Sequence, residues 1–226
     1  MATMKALEWI FFDVGDALID ESGYTNWKQD LVLRSVQAYQ DTLRLEDVKH
    51  VWISASAQSG SLMQNAARLL LPNQKQADKA IEVIKSKHVE MNEARKKQTV
   101  YPEALDVLRL LSKTYRLGIL ANQPVETRHM LAQAGLLELF TSTNLSGDYP
   151  FQKPDPRYFL QTLKDAGAEI SRSVLVDDNI ERGLAPAKQI GMRTVWYKHT
   201  ERTIPDHTVD AVIESLQGLP AALGTL

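Results

Sequence analysis

The chain has 226 residues, 44% hydrophobic and 24% charged, a balance that supports a sizeable core and argues against wholesale disorder. Its formal net charge of −2 offers no general field for nucleic acid or an anionic membrane, so neither partner is expected. With no cysteine there are no disulfides, thiolate metal sites or thiol nucleophiles, which fits a reducing compartment.

The first element is the apolar, aromatic run that begins at Leu7 and ends in Asp13. It is only about six residues long, too short for a signal-peptide core. No later stretch approaches the ~20 apolar residues of a membrane span, so a cytoplasmic protein, monomer or homodimer, is expected. An acid closing such a run, with Gly15 behind it to let the backbone turn sharply, reads as a buried strand that delivers one carboxylate into a crevice.

Residues 24–98 then carry helical periodicity. Leu31, Leu33, Val36 and Tyr39 form one stripe, and Val48, Val51, Trp52 and Ala55 form a second. A third helix over 61–71 stops at Pro72-Asn73. Residues 76–97 read as one long charged helix with Ile81, Ile84, His88 and Met91 on its inner face. Its Lys85, Lys87, Arg95, Lys96 and Lys97 read as a solvated face. Tyr24, Trp27 and Trp52 read as packing residues rather than pocket lining.

From residue 101 strands and helices alternate. Pro102 suits the first turn of a helix through Leu105, Leu108 and Leu111. Arg116-Leu-Gly-Ile-Leu-Ala121 reads as a buried strand, 127–134 as a helix closed by Gly135, and 157–166 as a helix closed by Gly167. Ser173-Val-Leu-Val-Asp177 is a strand, 184–190 a helix, Arg193-Thr-Val-Trp-Tyr197 a strand, and Asp210-Ala-Val-Ile213 a last edge strand. This alternation implies an α/β fold: a Rossmann-like parallel sheet with helices on both faces. The core comprises residues 1–19 and 99–226, interrupted by a small all-helical cap domain over 20–98.

In a parallel sheet the loops that follow strands share one edge, so Asp13, Ala121-Asn122 and Asp177-Asp178 can converge. Asp13 and Asp178 offer hard oxygen ligands suited to Mg²⁺, with a carbonyl, waters and a substrate phosphate completing the octahedron. Lys153 supplies a compact positive charge for phosphoryl oxygens, and Pro-Asp-Pro behind it stiffens its loop. Asp177 reads either as a helix cap or as a hydrogen-bonding partner behind the ligands. Asn122 either orders the loops or touches phosphate. The five histidines show no metal-ligand spacing.

Four ordered motifs resemble the haloacid dehalogenase-like hydrolase superfamily, in the subfamily with a helical cap after the first motif. They are Phe-Phe-Asp13-Val-Gly-Asp-Ala-Leu, Gly-Ile-Leu-Ala121-Asn122, Lys153-Pro-Asp-Pro-Arg-Tyr-Phe and Val-Leu-Val-Asp177-Asp178-Asn179. The resemblance implies a Mg²⁺-dependent phosphatase acting on a small phosphorylated metabolite. Asp13 would attack phosphorus to form an aspartyl-phosphate. Lys153 would stabilise the phosphoryl group, which Ala121 and Asn122 would adjoin. Asp13, Asp178 and the Gly15 carbonyl would hold the metal.

The chain departs from that pattern at three positions. Family phosphatases usually carry an acid at Gly15, Ser or Thr at Ala121, and a further acid aligned with Gly183. Loss of a general acid costs about 10²–10⁴ in rate. Loss of one oriented donor costs about 10²–10³. Asp16 or Asp20 is a candidate replacement acid. A non-catalytic phosphate or partner binder, and a 2-haloacid dehalogenase that needs no leaving-group proton, therefore stand as alternatives.

Overall fold

The computed structural model describes residues 6–199, 204 and 207–226. By internal contacts the chain divides into two compact units, one of Met1–Ile19 with Val100–Leu226 and one of Asp20–Thr99. The strands of the first unit's sheet are β1 (Trp9–Phe12), β4 (Arg116–Ala121), β5 (Ser142–Leu145), β6 (Ser173–Asp177), β7 (Arg193–Tyr197) and β8 (Ala211–Ile213). Two short strands, β2 (Ile19–Asp20) and β3 (Thr99–Val100), form a separate two-stranded sheet where the chain passes between units.

The six-stranded sheet runs β5-β4-β1-β6-β7-β8, with every neighbouring pair parallel. After β1 the chain winds outward through β4 and β5, then returns to the other side of β1 for β6, β7 and β8. Strand order therefore reverses beside β1, and a parallel sheet opens its crevice at the carboxyl ends there.

Period-two alternation splits the strand residues between two apolar clusters. Ile10, Phe12, Ile119, Val174 and Val195 join one, with Val107, Leu108 and Leu111 from α6 (Ala104–Leu111), Leu131 from α7 (Thr127–Gln133), and Leu219 and Leu223 from α10 (Leu219–Leu223). Trp9, Phe11, Leu120, Leu175 and Trp196 join the other, with Tyr158, Phe159 and Leu163 from α8 (Pro156–Ala166) and Ala187 from α9 (Ala185–Gln189). Burying each large apolar side chain contributes about 1.5–3 kcal/mol, so this two-sided burial dominates the unit's stability. Gly118 faces Phe11 across the β1–β4 register, and a Cβ there would lie 2.4 Å from the Phe11 ring. Its absence lets that ring lie over β4 and stack on Trp9 at 5.4 Å.

The second unit has helices α1 (Ser22–Gln37), α2 (Leu45–Ser56), α3 (Leu62–Leu70), α4 (Gln74–Ser86) and α5 (His88–Arg95). Leu31, Val32, Val36, Val48, Ala55, Ala66, Leu70, Ile81 and Ile84 form its core. Buried Asn65 Nδ2 lies within hydrogen-bond distance of the carbonyls of Ala55, Gln58 and Ser59, and its two hydrogens tie α3 to the end of α2. No helix among the described residues is long and apolar enough to cross a membrane.

Several expectations need correction. The single helix over 76–97 is two helices, broken at Lys87 (φ −90°, ψ 21°), whose N–H bonds Ile84 in a tighter turn. Of the expected inner-face residues beyond that break, Met91 is half-buried and packs against the unit's core, whereas His88 is exposed. Pro102 lies in a turn ahead of α6 rather than in its first helical turn. A π-helical segment, Ile180–Leu184, precedes α9. Strand β5 and helix α10 were not anticipated. In the turn after Asp13 the left-handed residue is Asp16 (φ 51°).

Candidate active site

Each predicted loop of the first unit leaves its strand on the same edge of the sheet. The Asp13 N–H donates to the Val176 carbonyl at 2.9 Å, continuing the β1–β6 ladder one residue past the strand and fixing where the carboxylate emerges. Asp177 ends β6, and Asp178 follows. Carboxylate oxygens of Asp13, Asp177 and Asp178 all lie within 4.8 Å of one another.

Lys153, 2% exposed, lies among these acids. Its Nζ is 3.0 Å from Asp13 Oδ1 and 2.6 Å from Asp177 Oδ2. Fully buried Asp177 accepts a further hydrogen bond from the Asn179 N–H at 2.8 Å. Asp177 is thus tied to the lysine and to its own loop, and Asp13 shares the same lysine.

Asp13 and Asp178 are both shifted above the ordinary carboxylate range. Burial lifts Asp13 to about 7, with Lys153 opposing the rise and Asp177 adding to it. Burial, then the charges of Asp177, Asp13 and Asp16, holds Asp178 well above the usual carboxylate range. Burial alone would lower Lys153, but Asp13 and Asp177 outweigh it and keep the amine protonated. Three acids around one lysine form a site short of positive charge, and hard oxygen donors in that condition fit a divalent cation.

Asn122 couples two of the loops. Its amide donates to the Lys153 carbonyl at 2.9 Å and accepts from the Lys153 N–H at 2.8 Å. Between the two open roles, both of its side-chain polar atoms are engaged in ordering the loops. Ala121 is fully buried, and its methyl group belongs to the apolar cluster on one sheet face. Gly15 is buried in the turn after Asp13, where the Asp16 N–H donates to the Ile19 carbonyl at 2.7 Å. Asp16 is half-buried there, and the His199 ring nitrogen lies 2.6 Å from its carbonyl oxygen. Asp20 is exposed at the start of α1 in the other unit, where Oδ1 accepts from the Ser22 N–H.

Gly183 has a structural cause. A Cβ at that position would lie 2.1 Å from Asp177 Oδ2, so any side chain would displace the carboxylate that holds Lys153. An acid at 183 is incompatible with Asp177 as placed.

Sequence reasoning missed three contributors. The Tyr158 hydroxyl lies 2.9 Å from the Ala121 carbonyl and 2.8 Å from the Asn144 carbonyl, linking α8 to the ends of β4 and β5. Trp196 donates from its indole nitrogen to the Asp178 carbonyl at 3.0 Å and anchors that loop. Arg182 is lowered by burial, while the charges of Asp13, Asp177 and Asp178 act to raise it, so it brings a second cation near the cluster. Its place in a charged stretch before a helix gave no sign of this.

A sequence model described as "haloacid dehalogenase-like hydrolase" matches residues 7–191. Glyceraldehyde 3-phosphate phosphatase of Pyrococcus abyssi is 29% identical over 94 residues, covering 41% of this chain and 40% of that protein. Phosphoglycolate phosphatase of Agrobacterium fabrum is 28% identical over 127 residues, 54% of each chain, so the chain matches only about half the length of these relatives. The 2-haloacid dehalogenase from Pseudomonas syringae pv. Tomato DC3000 superposes with a TM-score of 0.62 at 25% identity, covering 96% of this chain and 98% of that one. The family match spans all four loops of the acidic site and the whole helical unit, and the chain belongs to the haloacid dehalogenase-like hydrolases.

Proposed function

We propose that the chain is a Mg²⁺-dependent phosphatase acting on a small phosphorylated metabolite, with Asp13 as nucleophile. The observation that carries this reading is the shared lysine: Lys153 bridges Asp13 and Asp177 while Asp178 lies within the same 4.8 Å cluster. The printed functions of the curated relatives, phosphatases of glyceraldehyde 3-phosphate and phosphoglycolate, support the substrate class.

Asp13, Asp178 and the Gly15 carbonyl would hold Mg²⁺, which when bound neutralises phosphoryl charge and keeps the neighbouring carboxylates ionised. An Asp13 oxygen forms a bond to phosphorus as the ester P–O bond breaks and the alkoxide departs with the electron pair. Lys153 donates to the phosphoryl oxygens and offsets the charge shifting away from Asp13. Water then attacks phosphorus, the Asp13–phosphorus bond breaks, and phosphate leaves with Asp13 restored. Asn122 holds the Lys153 backbone in place throughout. We assign residues 20–98, the helical unit, the role of a cap that selects the substrate.

Gly15 supplies no proton to the alkoxide, so turnover depends on the leaving group. Aryl esters such as p-nitrophenyl phosphate are expected to react well, with alkyl esters about 10²–10⁴ slower. A second reading, haloacid dehalogenation, is favoured by that same glycine, because departing halide needs no proton. Phosphate release from a panel of metabolite monoesters with Mg²⁺, in wild type and Asp13→Asn, tests the proposal. Release that persists in Asp13→Asn removes Asp13 from its role. Consumption of 2-chloropropionate without metal, with no ester turned over, establishes the dehalogenase. Mg²⁺ and phosphate binding with neither reaction leaves a binding protein.

A further inference from the structure

The turn that follows Asp13 is held by a side chain 183 positions later in the sequence. Asp16 occupies the left-handed region there (φ 51°), a conformation that a residue with a Cβ keeps only where the bonds around it favour it. Both peptide planes beside it are pinned. The Gly15–Asp16 plane is fixed by the Asp16 N–H, which donates to the Ile19 carbonyl at 2.7 Å. The Asp16–Ala17 plane is fixed by His199, whose Nε2 lies 2.6 Å from the Asp16 carbonyl oxygen. A carbonyl only accepts, so Nε2 carries the hydrogen and donates, in the neutral ring as in the cation.

His199 is exposed, yet its ring has a defined seat. It lies two residues past the end of β7, with its ring centroid 4.1 Å from that of buried Tyr197. Tyr101 packs on it at 6.1 Å, 17° from parallel. The Tyr101 N–H in turn donates to the Leu18 carbonyl at 2.9 Å, so the residue that seats the imidazole also holds the other end of the same turn. All of these residues belong to the unit of Met1–Ile19 and Val100–Leu226.

The consequence falls on Gly15. In a trans peptide the C=O points opposite the N–H that follows it. The Gly15 carbonyl is therefore aimed once the Asp16 N–H is bound and rotation about Asp16 is stopped. Glycine supplies no such restraint itself, because its backbone is the most permissive of any residue. Of the three donors read as metal ligands, this carbonyl is the one whose direction depends on the backbone alone.

We propose that His199 is a positioning residue, whose Nε2–H holds the turn and so aims the Gly15 carbonyl at the Mg²⁺ site. This role rests on the reading of Gly15 as a metal ligand; the clamp on the turn does not. His199 touches neither metal nor substrate in it. Partners one step behind a metal ligand are worth about 10–100-fold in metal affinity.

Two substitutions part the hydrogen bond from the ring. His199→Phe keeps a planar ring beside Tyr101 and Tyr197 and removes the donor. His199→Gln gives up the ring but carries an amide N–H the same number of bonds from Cβ as Nε2. The position is exposed, so neither change reaches the core. Isothermal titration of the full chain with Mg²⁺ should show affinity weakened about tenfold or more in His199→Phe and within about threefold of wild type in His199→Gln. Ring packing alone would give the reverse order, and that result, or unchanged affinity in His199→Phe, overturns the proposal. Amide hydrogen exchange at Asp16, Leu18 and Ile19 in metal-free protein reads the clamp without the metal. It should be about two- to tenfold faster in His199→Phe and near wild type in His199→Gln. A wild type that binds no Mg²⁺ brings down the metal reading by itself. The exchange rates then decide the clamp, and equal rates in wild type and His199→Phe overturn it.

Discussion

Replacing Lys153 with methionine probes the centre of the acidic site, because it keeps an unbranched side chain of similar bulk while removing the ammonium group and its N–H donors. In the wild type that charge lies 3.0 Å from Asp13 Oδ1 and 2.6 Å from Asp177 Oδ2, with lysine and Asp177 almost wholly shielded from water. The variant leaves Asp177 buried, with the Asn179 N–H as its recorded hydrogen-bond donor. Removing one partner of a buried ion pair costs about 3–5 kcal/mol, against a net value near zero for exposed pairs. For a domain of this size that corresponds to a fall in Tm of about 6–20 °C. Hydrogen exchange of β1 and β6 amides in metal-free protein reads the loss in this unit directly. The double variant Lys153→Met/Asp177→Asn removes the stranded charge and should recover about 0.5–3 kcal/mol relative to additivity. A single-variant cost below about 1 kcal/mol, or strict additivity in the double variant, would falsify the coupled buried pair.

Three further perturbations test the supporting structure. Gly183→Ala places a Cβ 2.1 Å from Asp177 Oδ2; such overpacking should cost about 1–3 kcal/mol, measured by denaturant unfolding, and should reduce turnover by displacing Asp177 from Lys153. Tyr158→Phe leaves the Ala121 and Asn144 carbonyls without the hydroxyl they share, so a loss of about 1–3 kcal/mol is expected, with kcat falling and KM nearly unchanged. Unchanged stability would show that the hydroxyl does not join the strand ends. Asp210 predicts a pH effect: burial acts to raise its carboxyl, but hydrogen bonds from Lys188 and Thr194 outweigh it and hold it below the usual 3.8. A depressed carboxylate contributes stability above its unfolded pKa and loses it as pH falls through the folded value. The stability difference between wild type and Asp210→Asn should therefore shrink as pH drops below about 4, and a difference independent of pH from 7 to 3 would rule this out.

The parts legible in the sequence were those whose physics is local. β4 and β6 carry consecutive apolar residues, Leu117 to Ala121 and Val174 to Val176, because central strands are buried on both faces, and their ends marked site loops. β5 escaped notice because it lies at the sheet edge and reads Ser-Thr-Asn-Leu, with its pairing to β4 set by tertiary contact rather than hydrophobicity. The break at Lys87 carries neither proline nor glycine, so periodicity ran through it. In the sequence Tyr158 stands only as a member of the third motif, with no role assigned to it. Only folding brings its hydroxyl to carbonyls that are 37 and 14 residues away in sequence. The turn expected after Asp13 is present, and its left-handed residue is Asp16, a residue type that tolerates this conformation without signalling it.

The same network explains how the site can differ from its family at Gly15 and Ala121 while keeping its charge arrangement. Tyr158 holds the end of β4 through the Ala121 carbonyl, and Asn122, the next residue, holds the Lys153 backbone through two hydrogen bonds. Lys153 in turn sits against Asp13 and Asp177. None of these links uses a side chain at 15 or a hydroxyl at 121. The two departures therefore remove groups that would act on the leaving oxygen or the phosphoryl group without loosening the frame. The costly element, three crowded carboxylates with Asp13 raised to about 7 and Asp178 raised as well, stays in place. A crevice that served only to pack the fold would be more stable with these acids replaced by apolar residues. Their presence beside a fixed lysine is the reason to look for turnover first among esters whose leaving group needs no proton.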